Sequence, residues 1–437
     1  MTGSPRPHVV VVGAGFGGLE AAKALAGVPV EVTLVDKRNH HTFQPLLYQV
    51  ATAGLNPSDI AQPIRQIIGS QANCRVLLAE VVAVDVESRT LSLRRPGTGG
   101  DQVDELNYDY LIVATGATHA YFGHDEWATL APGLKTVEDA LGIRHRILLA
   151  FERAEAVATA RSDPDEQRRH MTFVVVGAGP TGVELAGAIQ EIATQSLRGQ
   201  FRSIDTGDTR VVLLEAGPRV LPTLPEKLSA SAERQLLELG VEVWTSRPVT
   251  AIDAEGVDTE LGPIPASTVL WAAGVAASPL GRQLSNNLDR AGRVPVTTRL
   301  TLPDAGIPGN DVFVVGDLAA AVDGDGVTVP GVAPAAQQGG LHAAACIEAD
   351  LAGRPRPEFR YQDKGSMATI GRSAAVADLG GRLQFSGYLA WVVWWLVHIW
   401  SLVGFRSRAT VMVGWAWQYL TRRRDARLIT DTPRLES

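Results

Sequence analysis

The sequence has few cysteines, no excess of basic residues and no long apolar stretch near its first residues. Each of these shortages argues against a class of protein. Among its 437 residues only Cys74 and Cys346 are cysteines, and they lie far apart in no CxxC pair. This usage fits a reducing compartment and excludes a dithiol redox centre. The net charge of −7 lacks the basic excess that nucleic-acid binding requires. No long apolar stretch precedes residues 9–12, so no secretory signal is visible and we expect a position on the cytoplasmic side.

The sequence also lacks the spacings that hold metals or activate a serine nucleophile. Its nine histidines form no HxH, HExxH or paired cysteine and histidine pattern, so we predict no metal site and expect mostly structural or solvent-facing histidines. No serine lies on a nucleophile elbow. With 45% hydrophobic and 20% charged residues, the chain is otherwise typical of a globular protein with two or three domains.

What the sequence does contain is a duplicated glycine motif. An apolar run at residues 9–12 precedes the loop GAGFGG, and a similar run at 173–176 precedes GAGPTG. Such a loop lets the backbone approach a pyrophosphate, which then lies at the positive N-terminus of the following helix. Two loops predict two bound dinucleotides, and a chain that holds two redox dinucleotides most simply passes electrons between them. The loops contain Gly13, Gly15, Phe16, Gly17 and Gly18, and Gly177, Gly179, Pro180, Thr181 and Gly182.

The first loop is followed by an acid at the end of a second predicted strand. Residues 9–12 and 31–35 are predicted to form parallel strands joined by a helix at 19–26. Asp36 lies 23 positions after Gly13, near the distance at which a carboxylate accepts hydrogen bonds from a ribose diol. A solvated loop acid is the alternative.

The second acid, Glu215, lies 38 positions beyond Gly177. We attribute the longer spacing to a lengthened helix and a turn insertion at residues 204–209. At the end of strand 210–214, Glu215 would still meet the ribose 2′-hydroxyl and repel a 2′-phosphate, which favours NADH over NADPH. The nearby Arg219 keeps that preference moderate.

Other strands end in small-residue turns. Residues 110–117 and 269–274 are predicted as buried strands that close the first and second dinucleotide folds. Residues 161–169, rich in acids and arginine, are predicted as an exposed connector before the second unit. The strand at 311–317 ends in Gly-Asp, a pair that contacts the ribityl chain in flavoproteins with two dinucleotide sites.

The C-terminal region is apolar and then basic. Residues 383–405 carry no formal charge, which is long enough for a membrane-spanning helix. Tryptophans spread along the segment, together with His398 and Ser401, favour a helix that lies in the membrane interface instead. A second helix is predicted at 409–420. A dimerisation pair or a core pair is the alternative for these helices. The arginines that would contact anionic lipid are Arg406, Arg408, Arg422, Arg423, Arg424 and Arg427.

Taken together, the motifs resemble the type II NADH:quinone oxidoreductases, single-chain FAD enzymes that lie on a membrane. The resemblance covers nearly the whole chain and is carried most specifically by NHHTFQPLLYQVAT at 39–52 and by the tail at 404–429. GPTGVE at 179–184 and DKG at 363–365, with Ile-Gly at 370–371, add to it. It implies an α/β fold with two Rossmann-like dinucleotide-binding domains and a C-terminal helical membrane-anchoring region.

The resemblance also implies a division of the chain and the residues that contact each cofactor. The expected FAD-binding domain comprises 7–118 and 281–345, the NADH-binding domain 119–280, an interface segment 346–384, and amphipathic membrane-associated helices 385–430. Expected FAD contacts are Gly13, Gly15, Phe16, Gly17, Gly18, Asp36, Lys37, Thr115, Gly116, Gly316 and Asp317. Expected NADH contacts are Gly177, Gly179, Pro180, Thr181, Gly182, Glu184, Glu215, Ala273 and Gly274.

This sequence departs from the family's quinone-site signature, AQxAxQ. The matching stretch is APAAQQ, with Pro334 in place of the first glutamine. The resemblance implies quinone contacts at Gln338, and more weakly at Pro334 and Gln337. Pro334 suits the first turn of a helix, whose N-terminus would stabilise negative charge on reduced flavin. An ordinary core helix with small residues is the alternative.

Two further residues take catalytic roles from the resemblance. Glu184, expected in the first turn of the helix after the second loop, would handle protons near the nicotinamide, with helix capping as the alternative. Lys364 would balance charge beside the flavin or relay a proton to the quinol. With Gln338 these are the expected catalytic residues.

We therefore predict a non-proton-pumping enzyme that passes a hydride from NADH to FAD and two electrons to a quinone. Its expected partners are a quinone and the lipid surface of the cell membrane, to which it binds peripherally on the cytoplasmic side. A homodimer is also compatible with the C-terminal helices. The alternatives are a soluble NADH:ferredoxin or rubredoxin reductase, and a flavin-bound NADH sensor without significant turnover. A sulfide:quinone reductase would need reactive cysteines beside the flavin.

Overall fold

Strands and helices alternate along most of the chain. The computed structural model describes residues 6–97, 103–161, 163–303, 311–381, 383–403, 405–421, 424 and 426–429. The strands are β1 His8–Val12, β2 Glu31–Asp36, β3 His40–Thr42, β4 Ala61–Pro63, β5 Cys74–Leu78, β6 Glu80–Asp85, β7 Thr90–Arg94, β8 Val103–Asn107, β9 Tyr110–Val113, β10 Ala117–His119, β11 Thr172–Val176, β12 Arg210–Leu214, β13 Glu242–Trp244, β14 Val249–Ile252, β15 Gly256–Thr259, β16 Gly262–Pro265, β17 Thr268–Trp271, β18 Val275–Ala277, β19 Val294–Pro295, β20 Val312–Val314, β21 Ala319–Ala320, β22 Ser366–Ile370, β23 Ala374–Leu379 and β24 Leu383–Ser386. The helices are α1 Phe16–Ala24, α2 Leu47–Ala51, α3 Pro57–Ile60, α4 Ile64–Ile68, α5 Val137–Ala160, α6 Pro164–His170, α7 Pro180–Glu191, α8 Glu226–Leu239, α9 Ala333–Leu351, α10 Tyr388–Ser401 and α11 Phe405–Thr421.

These elements divide into two units. The first comprises Met1–Thr42, Gln62–Thr118 and Val275–Lys364, and the second comprises Phe43–Ala61, His119–Gly274 and Gly365–Ser437. Residues 43–61, expected within the FAD-binding range, belong to the second unit. The C-terminal helices also belong to the second unit.

The first unit is built on a five-stranded sheet of order β20-β9-β1-β2-β5. Strand β1 pairs in parallel with both β2 and β9. The run of four valines at residues 9–12 suits this central position, because a strand buried on both faces is continuously apolar. The predicted βαβ unit is confirmed, and its helix begins at Phe16 because Gly15 already has the extended backbone of an N-cap.

Helices α1 and α9 approach each other closely within this unit. A Cβ on Gly340 would lie 2.0 Å from the carbonyl oxygen of Gly17, so only glycine fits at this crossing. The helix predicted to begin at Pro334 is confirmed as α9, with the proline in its first turn. Proline is accommodated there because the missing N–H has no partner within the helix.

The second unit repeats the architecture with a four-stranded sheet of order β13-β12-β11-β17. Strand β11 pairs in parallel with β12 and β17. After α7 the chain continues through a π-helical turn, Ile192–Ser196, and a 3-10 turn, Thr206–Asp208, before β12. The predicted lengthening and turn insertion are confirmed, and they account for the long spacing to Glu215.

The connector predicted at residues 161–169 contains a helix that the sequence analysis missed. The side chain of Asp163 caps α6 by accepting hydrogen bonds from the N–H groups of Asp165 and Glu166, and Pro164 occupies the first turn. An acid followed by proline is a helix-start signal. The high charge of this stretch was compatible with both a loop and an exposed helix.

The uncharged stretch at 383–405 is divided rather than continuous. It contains β24 and α10, and Gly387 adopts a φ of +78° between them. Helix α11 begins at residue 405, four positions before the predicted start. Within the described ranges, no helix combines the length and the apolar character that crossing a membrane requires.

Candidate active site

The first glycine loop has the geometry of a phosphate cradle. Gly13 has a φ of +96°, and a Cβ there would lie 2.5 Å from the carbonyl oxygen of Ala114. A Cβ on Gly18 would lie 1.8 Å from the oxygen of Gly13, whereas a Cβ on Gly15 would meet nothing within 4 Å. The outer glycines are therefore required by the fold, and the middle one leaves open space at the N-terminus of α1. That space suits a pyrophosphate.

The second loop repeats these distances. Gly177 has a φ of +98°, and a Cβ there would lie 2.4 Å from the Cα of Ala273. A Cβ on Gly182 would lie 1.8 Å from the oxygen of Gly177, and Gly179 again faces open space. Pro180 and Thr181 are exposed at the start of α7, and Gly274 packs against the ring of Phe122, since a Cβ there would lie 2.5 Å from it.

The two acids occupy equivalent positions despite their different spacings. The Asp36 carboxylate accepts hydrogen bonds from Ala14 N at 2.6 Å and Arg38 N at 2.7 Å. The Glu215 carboxylate accepts from Ala178 N and Gly217 N, each at 2.7 Å. Each acid is thus tied to its own glycine loop. This geometry contradicts the alternative of a solvated loop acid at Asp36.

The side chain of Arg219 is committed to its own loop. Its guanidinium donates to the backbone oxygens of Leu224 at 3.0 Å and Pro222 at 2.8 Å. We therefore expect it to contribute less to cofactor selectivity than its sequence position suggests.

The first unit supplies further groups suited to a flavin nucleotide. The hydroxyl of Thr115 is buried and has no hydrogen-bond partner among the described residues, and Gly116 follows it with a φ of +65°. Lys37 is exposed, 3.8 Å from Glu80. A buried unpartnered hydroxyl in the residue next to Gly13 fits a bound polar ligand, because leaving such a group unpaired is costly.

His41 supports the first loop in a way that the sequence did not reveal. Its Nδ1 lies 2.8 Å from the oxygen of Ala14, and its ring packs edge-on against Phe16 at 5.3 Å between centroids. Burial lowers its pKa, so the ring is neutral, and Nδ1 carries the proton because a carbonyl only accepts. The residue is structural, as expected of most histidines, but it also orients a residue of the expected FAD site.

The Gly-Asp pair and the start of α9 lie together in the first unit. Gly316 has a φ of +73° and opens a 3-10 turn after β20. Gly316 and Asp317 line a cavity with Ala335 and Gly339 of α9. The residues that the sequence places far apart therefore share one wall. Pro334 and Gln337 lie half-buried on the same helix.

Gln338 is engaged by the backbone of its own unit. Its amide nitrogen donates to the oxygen of Gln362 at 3.0 Å, and its amide oxygen accepts from the nitrogen of Gln362 at 2.9 Å. This two-point clamp holds the segment that leads to Lys364, whose side chain is exposed. The quinone contact expected at Gln338 stays a prediction, and the geometry adds a positioning role.

Glu184 lies in the second unit, in the second turn of α7 rather than the first. The helix begins at Pro180 and has no acid in its first turn and no side-chain cap. The expected first-turn position was therefore wrong, because the proline of GPTG already starts the helix, and capping is excluded as its role. Burial raises the pKa of Glu184 to about 8, opposed only by the N–H of Thr369 at 3.5 Å. At neutral pH the carboxyl is largely protonated.

Glu184 faces a pocket formed entirely within the second unit. Its walls come from α2, α7, β22 and the two C-terminal helices. The lining residues are Tyr48, Gln49, Gly54, Glu184, Ala188, Glu191, Gln195, Thr369, Gly371, Arg372, Trp391, Trp394, Trp395, Trp415 and Arg424. Its walls combine four tryptophans with two acids, Glu184 and Glu191, and two arginines. Aromatic walls with a set of polar groups are typical of small-molecule pockets.

A buried ion pair attaches the chain after α11 to this pocket. Arg424 lies 3.1 Å from Glu191 and donates to the oxygen of Thr52 at 2.7 Å. Burial raises the pKa of Glu191, and the guanidinium of Arg424 opposes that shift. Gly404, Arg422, Arg423 and Asp425 lie outside the described residues, as does the side chain of Arg406.

The cysteines are unsuited to redox chemistry. Burial raises the pKa of both Cys74 and Cys346 to about 11, so neither is a thiolate at neutral pH. This agrees with the expectation that excluded a sulfide-oxidising site.

Comparison with known proteins identifies the family to which the chain belongs. The model of the pyridine nucleotide-disulphide oxidoreductases matches residues 7–340, and that of the NDH2 C-terminal domain matches 364–424. The chain is 45% identical to the type II NADH:quinone oxidoreductase Ndh of Mycobacterium tuberculosis over 98% of its length and 91% of that protein. It belongs to the type II NADH:quinone oxidoreductases. The NdhA protein of the same organism is 46% identical, over 97% of this chain and 90% of that protein.

The fold of this type II oxidoreductase also matches a solved relative. The NDH2 structure from Plasmodium falciparum in complex with NADH superposes with a TM-score of 0.86, covering 98% of this chain and 100% of that one at 20% identity. The C-terminal family match covers β22, β23, β24, α10 and α11, which include walls of the tryptophan-rich pocket. The predicted α/β fold and family are confirmed.

Proposed function

We propose that this type II oxidoreductase transfers a hydride from NADH to FAD and two electrons onward to a membrane quinone, without pumping protons. The observation that carries the proposal is the pair of matching glycine cradles in one chain, each with its carboxylate. When bound, FAD accepts the hydride and passes its electrons on. The chain's own residues bind and orient the two nucleotides and supply a proton to the quinone.

The first unit is proposed to hold FAD and the second NADH. Asp36 and Glu215 each keep lone pairs for a ribose diol beyond those used by the loop N–H groups. A 2′-phosphate beside Glu215 would be repelled, so NADH is the proposed donor. Thr115 is proposed to complete its hydrogen bonding with the flavin nucleotide.

The tryptophan-rich pocket of the second unit is proposed to bind the quinone head group. Its aromatic walls match a flat apolar ring. Reduction of a quinone consumes two protons, and Glu184 is a half-buried carboxyl whose raised pKa of about 8 lets it hold one at neutral pH. Glu184 is thus proposed as a proton donor to the reduced quinone.

The C-terminal helices are proposed to lie on a lipid surface. Each helix buries one face, through Trp394 on α10 and Trp415 on α11, and exposes another that is also apolar. Arg408 lies beside this face, over the ring of Trp400 at 5.6 Å. The exposed apolar residues are Leu383, Tyr388, Leu389, Leu396, Val397, Trp400, Met412, Val413, Trp417, Leu428 and Ile429.

Rapid mixing tests the reaction. Purified protein loaded with FAD should lose its yellow colour with NADH and regain it within the mixing experiment when ubiquinone-1 is added. Slow recovery with the quinone but fast recovery with ferredoxin would favour the soluble reductase. Slow recovery with both would favour the sensor.

Sedimentation with lipid vesicles tests the lipid contact. Leu389→Glu/Val413→Glu places charges on side chains that are 63% and 65% exposed, and should weaken binding to phosphatidylglycerol vesicles roughly tenfold or more. The matched control is Leu237→Glu/Leu261→Glu, whose leucines are 54% and 69% exposed elsewhere in the second unit. Equal vesicle binding by both variants would contradict the lipid surface. A dimer that only the C-terminal variant loses would assign that face to self-association.

A further inference from the structure

The pocket of the second unit contains a chain of hydrogen bonds that begins on α11. The indole Nε1 of Trp415 lies 2.5 Å from the amide oxygen of Gln49. The amide nitrogen of Gln49 lies 3.0 Å from the hydroxyl of Tyr48, and that hydroxyl lies 3.1 Å from the hydroxyl of Thr369. All four side chains line the same pocket.

The direction of this chain is fixed at its first member. An indole N–H only donates, so the amide of Gln49 must turn its oxygen towards Trp415 and its NH₂ group towards Tyr48. The Tyr48 hydroxyl therefore accepts from Gln49, and either hydroxyl of the Tyr48–Thr369 pair can donate to the other. Burial raises the pKa of Tyr48, so the hydroxyl keeps its hydrogen.

The Tyr48 and Thr369 hydroxyls hold two hydrogens but share one contact, so one hydrogen is left over at the end of the chain. Among the described residues, Tyr48 is the partner of the Thr369 hydroxyl. Thr369 is 1% exposed, so a ligand reaches it only through the pocket that it lines. The backbone N–H of the same residue points to Glu184. A buried donor without an acceptor is costly unless a ligand supplies one.

A second residue of the pocket wall also has a buried donor that lacks an acceptor. The indole nitrogen of Trp394 is buried and has no hydrogen-bond partner within the described ranges, and its side chain is 2% exposed. The pocket walls therefore contain an unpaired indole N–H as well as the leftover hydroxyl hydrogen. A quinone carbonyl oxygen is an acceptor without a hydrogen to give.

We infer that Tyr48 gives its hydrogen to Thr369, that Thr369 donates a hydrogen bond to a carbonyl oxygen of the quinone, and that Trp415 sets this polarity from α11 through Gln49. The inference rests on the proposed function. It makes Thr369 a substrate-binding residue. Trp415 is a positioning residue that links docking of the C-terminal helix to recognition of the oxidised substrate.

Substitutions at Thr369 test the donor. Thr369→Val keeps the shape and removes the hydroxyl, and should raise the KM for ubiquinone-1 roughly tenfold, the value of about one hydrogen bond. Thr369→Ser should stay within about twofold of the wild type because it keeps the donor. Thr250→Val, an exposed threonine on β14, is the matched control. Flavin reduction by NADH should be unchanged in all three.

Binding of ubiquinone-1 without turnover gives a second readout. Quenching of the pocket tryptophans should show the same rise in Kd for Thr369→Val. Should that variant fold poorly with an unpaired Tyr48 hydroxyl, Tyr48→Phe/Thr369→Val removes both groups and should show the same loss of affinity. Trp415→Phe frees the amide of Gln49 to turn and should raise the KM severalfold.

Different results would overturn the inference about Thr369 and the proposed function. Unchanged KM and Kd in Thr369→Val, with normal flavin reduction by NADH, would overturn the inference and leave the proposed function intact. Equal losses in Thr369→Val and Thr369→Ser would also overturn it, since they would indicate packing rather than donation. Wild-type protein that NADH reduces and ubiquinone-1 does not reoxidise would overturn the proposed function itself.

Discussion

The two glycine loops share their geometry, but the helices that follow them differ in what they bury. Helix α1 buries small and aliphatic residues and carries its acid, Glu20, on a partly exposed face beside Lys23. Helix α7 places Glu184 against a pocket and buries Glu191 as well. It also ends in a π-helical turn, a feature that often accompanies functional sites. One loop is followed by a helix that only supports it, and the other by a helix that is also a wall of a second site.

This difference shows what duplication preserves. The loop, its two tight glycines and the carboxylate at the end of the second strand recur in both units, as the pyrophosphate and ribose of a bound dinucleotide would require. Nothing in that geometry constrains the outer face of the following helix. The second unit has placed two acids on that face, where Arg424 lies 3.1 Å from Glu191 and the N–H of Thr369 on β22 lies 3.5 Å from Glu184.

The largest expected effect separates the two loops. Gly15→Val and Gly179→Val each add a side chain to open space at a residue with extended backbone, so both proteins should fold. Gly15→Val should be purified without flavin because the side chain fills the proposed pyrophosphate space. Gly179→Val should be yellow but not bleached by NADH. Absorbance spectra before and after NADH addition give the result. Loss of flavin from both variants would end the assignment of one cofactor to each loop.

An intermediate effect is expected at the two carboxylates. Glu215→Gln keeps an acceptor for a loop N–H but removes the charge, so the ratio of kcat/KM for NADPH to that for NADH should rise roughly tenfold. Asp36→Asn is the counterpart in the first unit and should leave that ratio unchanged while weakening retention of FAD. Steady-state kinetics with both nucleotides measure the ratio. A similar change of that ratio in Asp36→Asn would contradict the assignment of NADH to the second unit.

The smallest effect is expected at Glu184, the acid that α7 places against the pocket. Because burial raises the pKa of Glu184 to about 8, its proton is present below that pH and is lost as the pH rises through it. Reoxidation by ubiquinone-1 should therefore slow above about pH 8 in the wild type. Glu184→Gln should be slower at neutral pH and nearly independent of pH in this range. Glu20→Gln on α1 is the matched control. A pH profile that Glu184→Gln leaves intact would remove the proposed proton role.

The C-terminal helices show why a deletion is a poor test of this molecule. Removing residues from Gly387 onward would also remove Trp394, Trp415 and Arg424, which build the pocket of the second unit. The sequence suggested an anchor separate from the catalytic domains. In the structure the same helices contribute both a buried wall and an exposed apolar face, so single exposed residues must be changed instead.

The sequence by itself determined the two cofactor units, because their requirements are local. A strand, a glycine turn with φ near +97°, and an acid at the next strand end follow one another within a short stretch, and each has a residue type that the backbone requires. The helix start at Pro334 and the turn insertion before Glu215 were predictable for the same reason. That Gly316 and Asp317 line a cavity with α9 was not predicted from the sequence.

Only the tertiary structure decided which residues meet. Tyr48, Glu184, Thr369 and Trp415 lie on four elements spread over more than 360 residues of sequence, and no local pattern records that they line one pocket. The raised pKa of Glu184 and the buried ion pair of Arg424 both depend on burial, which is a property of packing. Physical contact between distant segments, rather than composition, therefore determined the chemistry of the second site.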